Sequence, residues 1–191
     1  MYPPVETRLF KSSERRRGRI VSVGRITPSK RYQTVLEVAR ELPDLEFIIC
    51  GLKQDESYFR KLMEGRPRNV HIKTDITFDS LRKELAASKV YLHCMREEHF
   101  GISIVEAMAA GCVPVVHDSG GPREIVTPEC GFRFTSLTEA VEMISMVIEE
   151  AEVFSRLSLN ARKRAEEYDV ENFNRSIISA LQSVTGKRDI T

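Results

Sequence analysis

Two carboxylates, Glu98 and Glu106, stand eight positions apart in the stretch Glu98-His99-Phe100-Gly101-Ile102-Ser103-Ile104-Val105-Glu106. Gly101 between them permits a tight strand-to-helix turn and a close approach of backbone to a ligand. The run Ala107-Met108-Ala109-Ala110 then continues a helix. The first amides of such a helix have no intrahelical acceptor and favour an anion such as a phosphate. One glutamate precedes this helix and the other lies one turn into it, so both can face the same ligand. Glu106 sits between Val105 and Ala107, where a carboxylate is costly to bury unless something partners it. The arrangement suits a charged, hydroxyl-rich molecule such as a nucleotide sugar, although spacing alone also fits one exposed and one helix-surface glutamate.

Two further constellations carry chemistry. In Gly24-Arg25-Ile26-Thr27-Pro28-Ser29-Lys30 two cations follow a strand end, and Pro28-Ser29 opens a helical turn. Arg25 can grip a phosphate bidentately and Lys30 can add a point charge. The segment is neither a P-loop nor a dinucleotide fingerprint, since GxxxxGK[ST] and GxGxxG are both absent. In His117-Asp118-Ser119-Gly120-Gly121-Pro122-Arg123-Glu124 the paired glycines allow an unusual turn beside a ligand, with a short helix restarting at Pro122. An ordinary surface loop explains that stretch equally well. His71, His93, His99 and His117 show no HExxH spacing, and no DxD occurs. His93, Glu97, Glu98 and His99 lack the spacing of metal ligands. Arg15-Arg16-Arg17 reads as a solvated linker.

These groups need a scaffold that brings them to one place. Short apolar runs alternate with helical periods: strands at Ile20–Gly24, Phe47–Gly51, Val70–Ile72, Val90–His93 and Val113–Val116, with helix faces such as Val35, Val38, Ala39, Leu42 between them. This predicts an α/β fold, a Rossmann-like parallel sheet with helices on both faces, and ligands bound beyond the carboxyl ends of the strands. Gly24, Gly51, Glu98 and Ser119-Gly120-Gly121 would all line that edge. The last third predicts a helical C-terminus: Ser136 and Glu139 form a capping box, and three apolar stripes follow, the last through Phe173, Ile177, Leu181 and Val184. The expected organisation is a linker and loop over residues 1–18, a binding domain over 19–185 and a tail over 186–191. Lys and Arg number 29 against 28 Asp and Glu, which argues against a general nucleic-acid binder. No apolar run approaches the ~20 residues of a membrane span. Cys50, Cys94, Cys112 and Cys130 form no CxxC pair and read as buried free thiols of a cytoplasmic protein.

Taken together these residues resemble a known family. Glu98-x-Phe100-Gly101 followed by Glu106-Ala107-Met108-Ala109-Ala110-Gly111 and Pro114-Val115-Val116 resembles the signature of the retaining GT-B glycosyltransferases of family 4. Val23-Gly24-Arg25-Ile26 with Lys30 resembles its phosphate-binding opening, and Gly120-Gly121-Pro122-x-Glu124 its glycine-rich loop. His117 to Pro122 looks particularly like the dolichol-linked α-1,2-mannosyltransferases and their archaeal and bacterial relatives, which suggests GDP-mannose as donor.

The resemblance implies a role for each residue. Arg25 and Lys30 would hold the donor diphosphate and stabilise the leaving group, helped by the amides of Ile102 and its neighbours after Phe100 and Gly101. Glu106 would bind the ribose hydroxyls, Glu98 the hydroxyls of the transferred sugar, and Ile76 would border the base. Catalysis would rest on Glu98, Arg25 and Lys30, with a nucleotide-diphosphate sugar as substrate and no tightly bound metal. Arg31 departs from the pattern, because the family usually has glycine after the lysine. The family's enzymes carry two Rossmann-like domains, and this chain matches one. It is therefore expected to be the C-terminal, donor-binding half of a GT-B enzyme. The missing N-terminal half would bind a glycan or lipid-linked acceptor and make any peripheral contact with the inner membrane surface. A stand-alone nucleotide-sugar-binding module and a GT-B-fold sugar-nucleotide epimerase are the alternatives.

Overall fold

The structure, a computed structural model, describes residues 2–10 and 17–185. Lys11 to Arg16, the tail over 186–191 and the side chain of Val184 lie outside the described residues. Six strands form one parallel sheet: β1 (Arg17–Val23), β2 (Glu46–Gly51), β3 (Val70–Thr74), β4 (Ser88–His93), β5 (Val113–His117) and β6 (Phe132–Phe134). Their order is β3-β2-β1-β4-β5-β6. The chain therefore builds outward from β1 in one direction, returns, and builds outward in the other. The reversal between β1 and β4 opens a crevice at their carboxyl ends, where such sheets bind ligands.

The helices α1 (Tyr32–Glu41), α2 (Glu56–Gly65), α3 (Phe78–Ala87), α4 (Ile102–Ala109), α5 (Pro122–Ile125), α6 (Leu137–Glu149), α7 (Ala151–Glu166) and α8 (Val170–Thr185) alternate with the strands and then close the chain. Strand periodicity divides the core in two. Ile20, Phe47, Ile49, Val90, Leu92 and Val115 join α1, α2 and α6 on one face. Val21, Ile48, Tyr91 and Val116 join α4 and part of α7 on the other. Both cores are required, because a parallel sheet with helices on each side exposes neither face to water. The Ser136–Glu139 capping box opens α6 with both of its bonds formed.

Three expectations need correction. Phe132–Phe134 is a sixth strand, paired with β5, which the sequence reading passed over. Three residues are too few to show a period, and only the alternation Phe-Arg-Phe signals it. The segment read as a stiff linker docks on the domain. Val5 and Phe10 are buried in the second core, and Val5 bridges to Asp169 in parallel pairing. Arg17, read with Arg15 and Arg16 as a solvated linker, opens β1, and Arg19 in that strand is buried against Glu84 at 2.7 Å. On α8, Phe173 and Ile177 are half-buried, whereas Ile178 and Leu181 are about half exposed, so apolar surface remains there. No helix among the described residues is long and apolar enough to cross a membrane.

Arg31 sits between a 3-10 turn at Pro28–Lys30 and α1, with φ 54 and ψ 41. This is the left-handed region, which costs a residue with a Cβ roughly 1–2 kcal/mol. The turn that presents Lys30 thus demands the conformation that glycine adopts freely. Arg31→Gly is expected to raise stability by about 0.5–1 kcal/mol, the relief of strain being partly offset by the freer unfolded chain. A urea midpoint below that of the unchanged protein would show that the arginine side chain contributes more than its backbone costs.

Candidate active site

The site forms where β1 and β4 end. Lys30, seven residues beyond β1, places its Nζ 2.5 Å from Oε2 of Glu98, five residues beyond β4. Both side chains are only 15% exposed, so the pair is shielded from bulk water. Lys30, read from the sequence as a point charge for a phosphate, is here engaged by the carboxylate. Arg25 does stand in solvent, with only a long 3.4 Å contact from Nη1 to Oε1 of Gln54. Gly101 adopts φ 111 as the residue before α4, a conformation that favours glycine, and leaves Ile102 exposed on the first turn.

The Gly120-Gly121 turn has a different job from the one expected. A Cβ on Gly120 would lie 2.5 Å from the carbonyl oxygen of Glu98, and one on Gly121 would lie 2.5 Å from that of His99. Only bare backbone fits there, and the Gly121 amide donates to the Glu98 carbonyl at 2.7 Å. Ser119, buried beside His117, accepts from the Glu97 amide at 3.0 Å. The loop after β5 therefore clamps the loop after β4, and through it fixes where the Glu98 carboxylate starts.

Tyr91 and His93 alternate along β4, so both point to the α4 face and stack with centroids 6.2 Å apart and planes 15° apart. The Tyr91 hydroxyl donates to Ser103 Oγ at 2.8 Å, tying β4 to the first turn of α4. His93 is 4% exposed, and its Nε2 comes within 3.5 Å of Glu98 Oε2. That is too long for a good hydrogen bond, and Nε2 has no hydrogen-bond partner among the described residues. The sequence reading weighed His93 only as a metal ligand. The usable signal was its parity with Tyr91 at the end of β4.

The two carboxylates are driven apart electrostatically. The neighbouring His93, with the Lys30 ammonium, outweighs burial and holds Glu98 down at about 2. Burial alone pushes Glu106 up to about 7. Glu106 is half-buried on α4, and its carboxylate makes no hydrogen bond or ion pair among the described residues. One carboxylate is thus ionised and paired, while the other is stranded, waiting for donors. Burial also lowers His93, which favours the neutral imidazole.

The remaining candidates fall nearby, with different exposures. Ile76 lies two residues beyond β3, half-buried against the second core. Phe100 turns its ring away into an aromatic trio, stacked on Tyr2 at 5.5 Å and edge-on to Tyr168 at 5.4 Å. Among the described residues no group of three or more His, Cys, Asp or Glu could hold a metal ion. All four cysteines are buried thiols outside any disulfide.

The sequence profile of the family described as "Glycosyl transferases group 1" matches residues 6–164. The chain belongs to this family. Among curated relatives, the GDP-Man:Man(3)GlcNAc(2)-PP-Dol alpha-1,2-mannosyltransferase of Homo sapiens is 30% identical over 188 residues, covering 86% of this chain and 38% of its own length. The Mus musculus enzyme of the same name is 30% identical over 213 residues, covering 96% and 43%. The chain thus spans about two-fifths of the curated relatives it matches. Among solved structures, Anabaena Alr3699/HepE in complex with UDP and glucose superposes with a TM-score of 0.84 at 23% identity, covering 96% of this chain and 56% of that one. The C-terminal domain of a glycosyl transferase group 1 family protein (LpcC) from Francisella tularensis superposes with a TM-score of 0.73 at 18% identity. In that case 87% of this chain covers 99% of the solved domain. These likenesses establish the fold as the Rossmann-like α/β sheet expected from the sequence.

Proposed function

We propose that the chain is the donor-binding half of a retaining glycosyltransferase whose donor is GDP-mannose. The observation that carries this reading is the shielded Lys30–Glu98 pair at the β1/β4 crevice, 2.5 Å apart, beside the exposed Arg25 and the open first turn of α4. It sets a cation suited to a diphosphate next to a carboxylate suited to sugar hydroxyls. The names of the mannosyltransferase relatives support GDP-mannose over other donors.

In this reading Arg25 and Lys30 hold the diphosphate together with the amides of Ile102 and Ser103, whose helix end carries roughly half a positive charge. Glu106 accepts from the ribose hydroxyls, Glu98 accepts from hydroxyls of the mannosyl ring, and Ile76 borders the base. During transfer the bond from the sugar anomeric carbon to the diphosphate oxygen breaks. The acceptor hydroxyl oxygen takes its place on that carbon, from the same face, and gives up its proton to the departing diphosphate oxygen. Charge builds on the departing diphosphate, where Arg25, Lys30 and the α4 amides are already oriented to stabilise it. No tightly bound metal enters the proposal. A second domain supplies the other wall of the cleft and binds a glycan or lipid-linked acceptor. The short share of the relatives' length that this chain spans supports this division. The whole enzyme is placed in the cytoplasm, at the inner membrane surface.

Calorimetric titration against UDP, GDP, ADP and their sugars tests the donor. GDP and GDP-mannose should bind best, in the micromolar to millimolar range, about −8 to −4 kcal/mol. Radiolabelled GDP-mannose with lipid-linked or free oligosaccharides should give no product from this chain alone, because orienting donor and acceptor needs both walls of the cleft. A preference for UDP or ADP would refute the donor assignment, and clear transfer would refute the half-enzyme reading.

A further inference from the structure

The Lys30–Glu98 pair poses a problem for the donor-binding reading, on which this inference rests. Each partner is asked to leave the other. If Lys30 turns to the donor diphosphate, Glu98 Oε2 loses its 2.5 Å ammonium partner inside a shielded crevice. A carboxylate left so is free to swing, and a swinging carboxylate selects no sugar hydroxyl. The cost of an unpaired, partly buried carboxylate also rises as the donor excludes water.

One group is in position to replace the ammonium. His93 Nε2 lies 3.5 Å from the same oxygen, is buried, and lacks a hydrogen-bond partner among the described residues. An unpaired buried ring nitrogen is itself costly, and calls for an explanation. Its ring is held from behind by the Tyr91 stack, and Tyr91 is fixed through Ser103 to α4. The imidazole therefore has little freedom to move. The side chain of Glu98 needs to travel only a few tenths of an ångström to reach a normal N–H···O distance.

We propose that His93 is a positioning residue: when the donor diphosphate takes Lys30, the Nε2–H of His93 captures Glu98 Oε2 and holds the carboxylate where it accepts from a hydroxyl of the transferred sugar. His93 touches neither donor nor acceptor in this scheme. It makes sugar recognition conditional on the diphosphate being seated, because only then does Glu98 exchange Lys30 for His93. Neutral imidazole with its proton on Nε2 is the form required, and burial favours the neutral ring.

The test separates nucleotide binding from the extra affinity that the sugar confers. GDP and GDP-mannose are titrated into the unchanged chain, His93→Phe and His93→Gln. Phenylalanine keeps the ring stacked on Tyr91 without an N–H. Glutamine restores an N–H near the Nε2 position. The unchanged chain should bind GDP-mannose more tightly than GDP. His93→Phe should bind GDP within twofold of the unchanged chain, yet lose at least fivefold in the ratio of GDP-mannose to GDP affinity. His93→Gln should recover most of that ratio. Nitrogen-15 spectra of the unchanged chain give a second readout that does not depend on a variant folding. Nε2 of His93 should be protonated, and its proton should move to a hydrogen-bonded shift when GDP is added. A His93→Phe ratio equal to that of the unchanged chain, an equal loss for both ligands, or an Nε2 signal unmoved by GDP would each overturn the proposal. If the unchanged chain binds no GDP, the donor-site reading itself fails. If it binds GDP and only the His93 results fail, that reading stands and the role of His93 does not.

Discussion

Glu106→Gln is expected to stabilise the free protein at pH 8 while weakening its hold on GDP. Burial raises the Glu106 carboxyl from 4.5 to about 7, and no hydrogen bond among the described residues offsets it. Between those values the folded chain binds the proton more tightly than the unfolded chain does. Stability therefore falls as pH rises across that window, and the full cost persists above 7. An amide carries no charge, so the variant should match the unchanged protein near pH 4.5. It should exceed it by on the order of 1–3 kcal/mol at pH 8. Binding should move the other way. Hydrogen bonds to a charged acceptor are worth about 1.5–3 kcal/mol, so GDP and GDP-mannose should both lose tenfold or more. Urea midpoints at the two pH values, with calorimetry at pH 8, measure both effects. A variant less stable at pH 8 than the unchanged protein would mean that the carboxylate already has a structural partner.

Lys30→Ala and Arg25→Ala should part company in stability, although both should weaken nucleotide binding. Arg25 stands in solvent with one long contact to Gln54, so its removal should leave the melting curve unchanged. It should cost about 1.5–3 kcal/mol of GDP affinity. Removing Lys30 leaves Glu98, held near about 2 by His93 and Lys30 against the cost of burial, without its ammonium. Breaking a fully buried pair costs about 3–5 kcal/mol, and the remaining exposure here reduces that to about 1–3 kcal/mol. The loss should shrink as pH falls from 4.5 towards 2, since protonating Glu98 removes the stranded charge. If Lys30→Ala melts with the unchanged protein at pH 7, the ion pair adds nothing to the fold.

The sequence by itself determined the sheet and most of its order of elements. Five strands were legible because each is a short apolar run ending in a turn, and burial on both faces of a parallel sheet leaves that trace. Phe132–Phe134 was not, being too short for a period and recognisable as a strand only once β5 lies beside it. Lys30 and Glu98 were legible as residues of one sheet edge, because the strand ends of such a sheet share it, whatever their distance in sequence. The docking of Val5 and Phe10 was hidden, because Val5 meets Tyr168 and Asp169 at the far end of the chain and Phe10 meets Phe78 beyond β3.

What only the tertiary structure decided is who holds whom. Sequence spacing placed Lys30 and Glu98 near a common ligand, but not against each other at 2.5 Å. It marked Gly120-Gly121 as a turn, but not as a backbone clamp on the Glu98 loop. It weighed His93 only as a metal ligand, although its importance lies in one oxygen atom 3.5 Å away on the loop that follows its own strand. The physical reason is the same in each case. Local propensity and periodicity are set by neighbours along the chain, whereas pairing, burial and charge are set by neighbours in space, which for this site come from the ends of β1, β4 and β5.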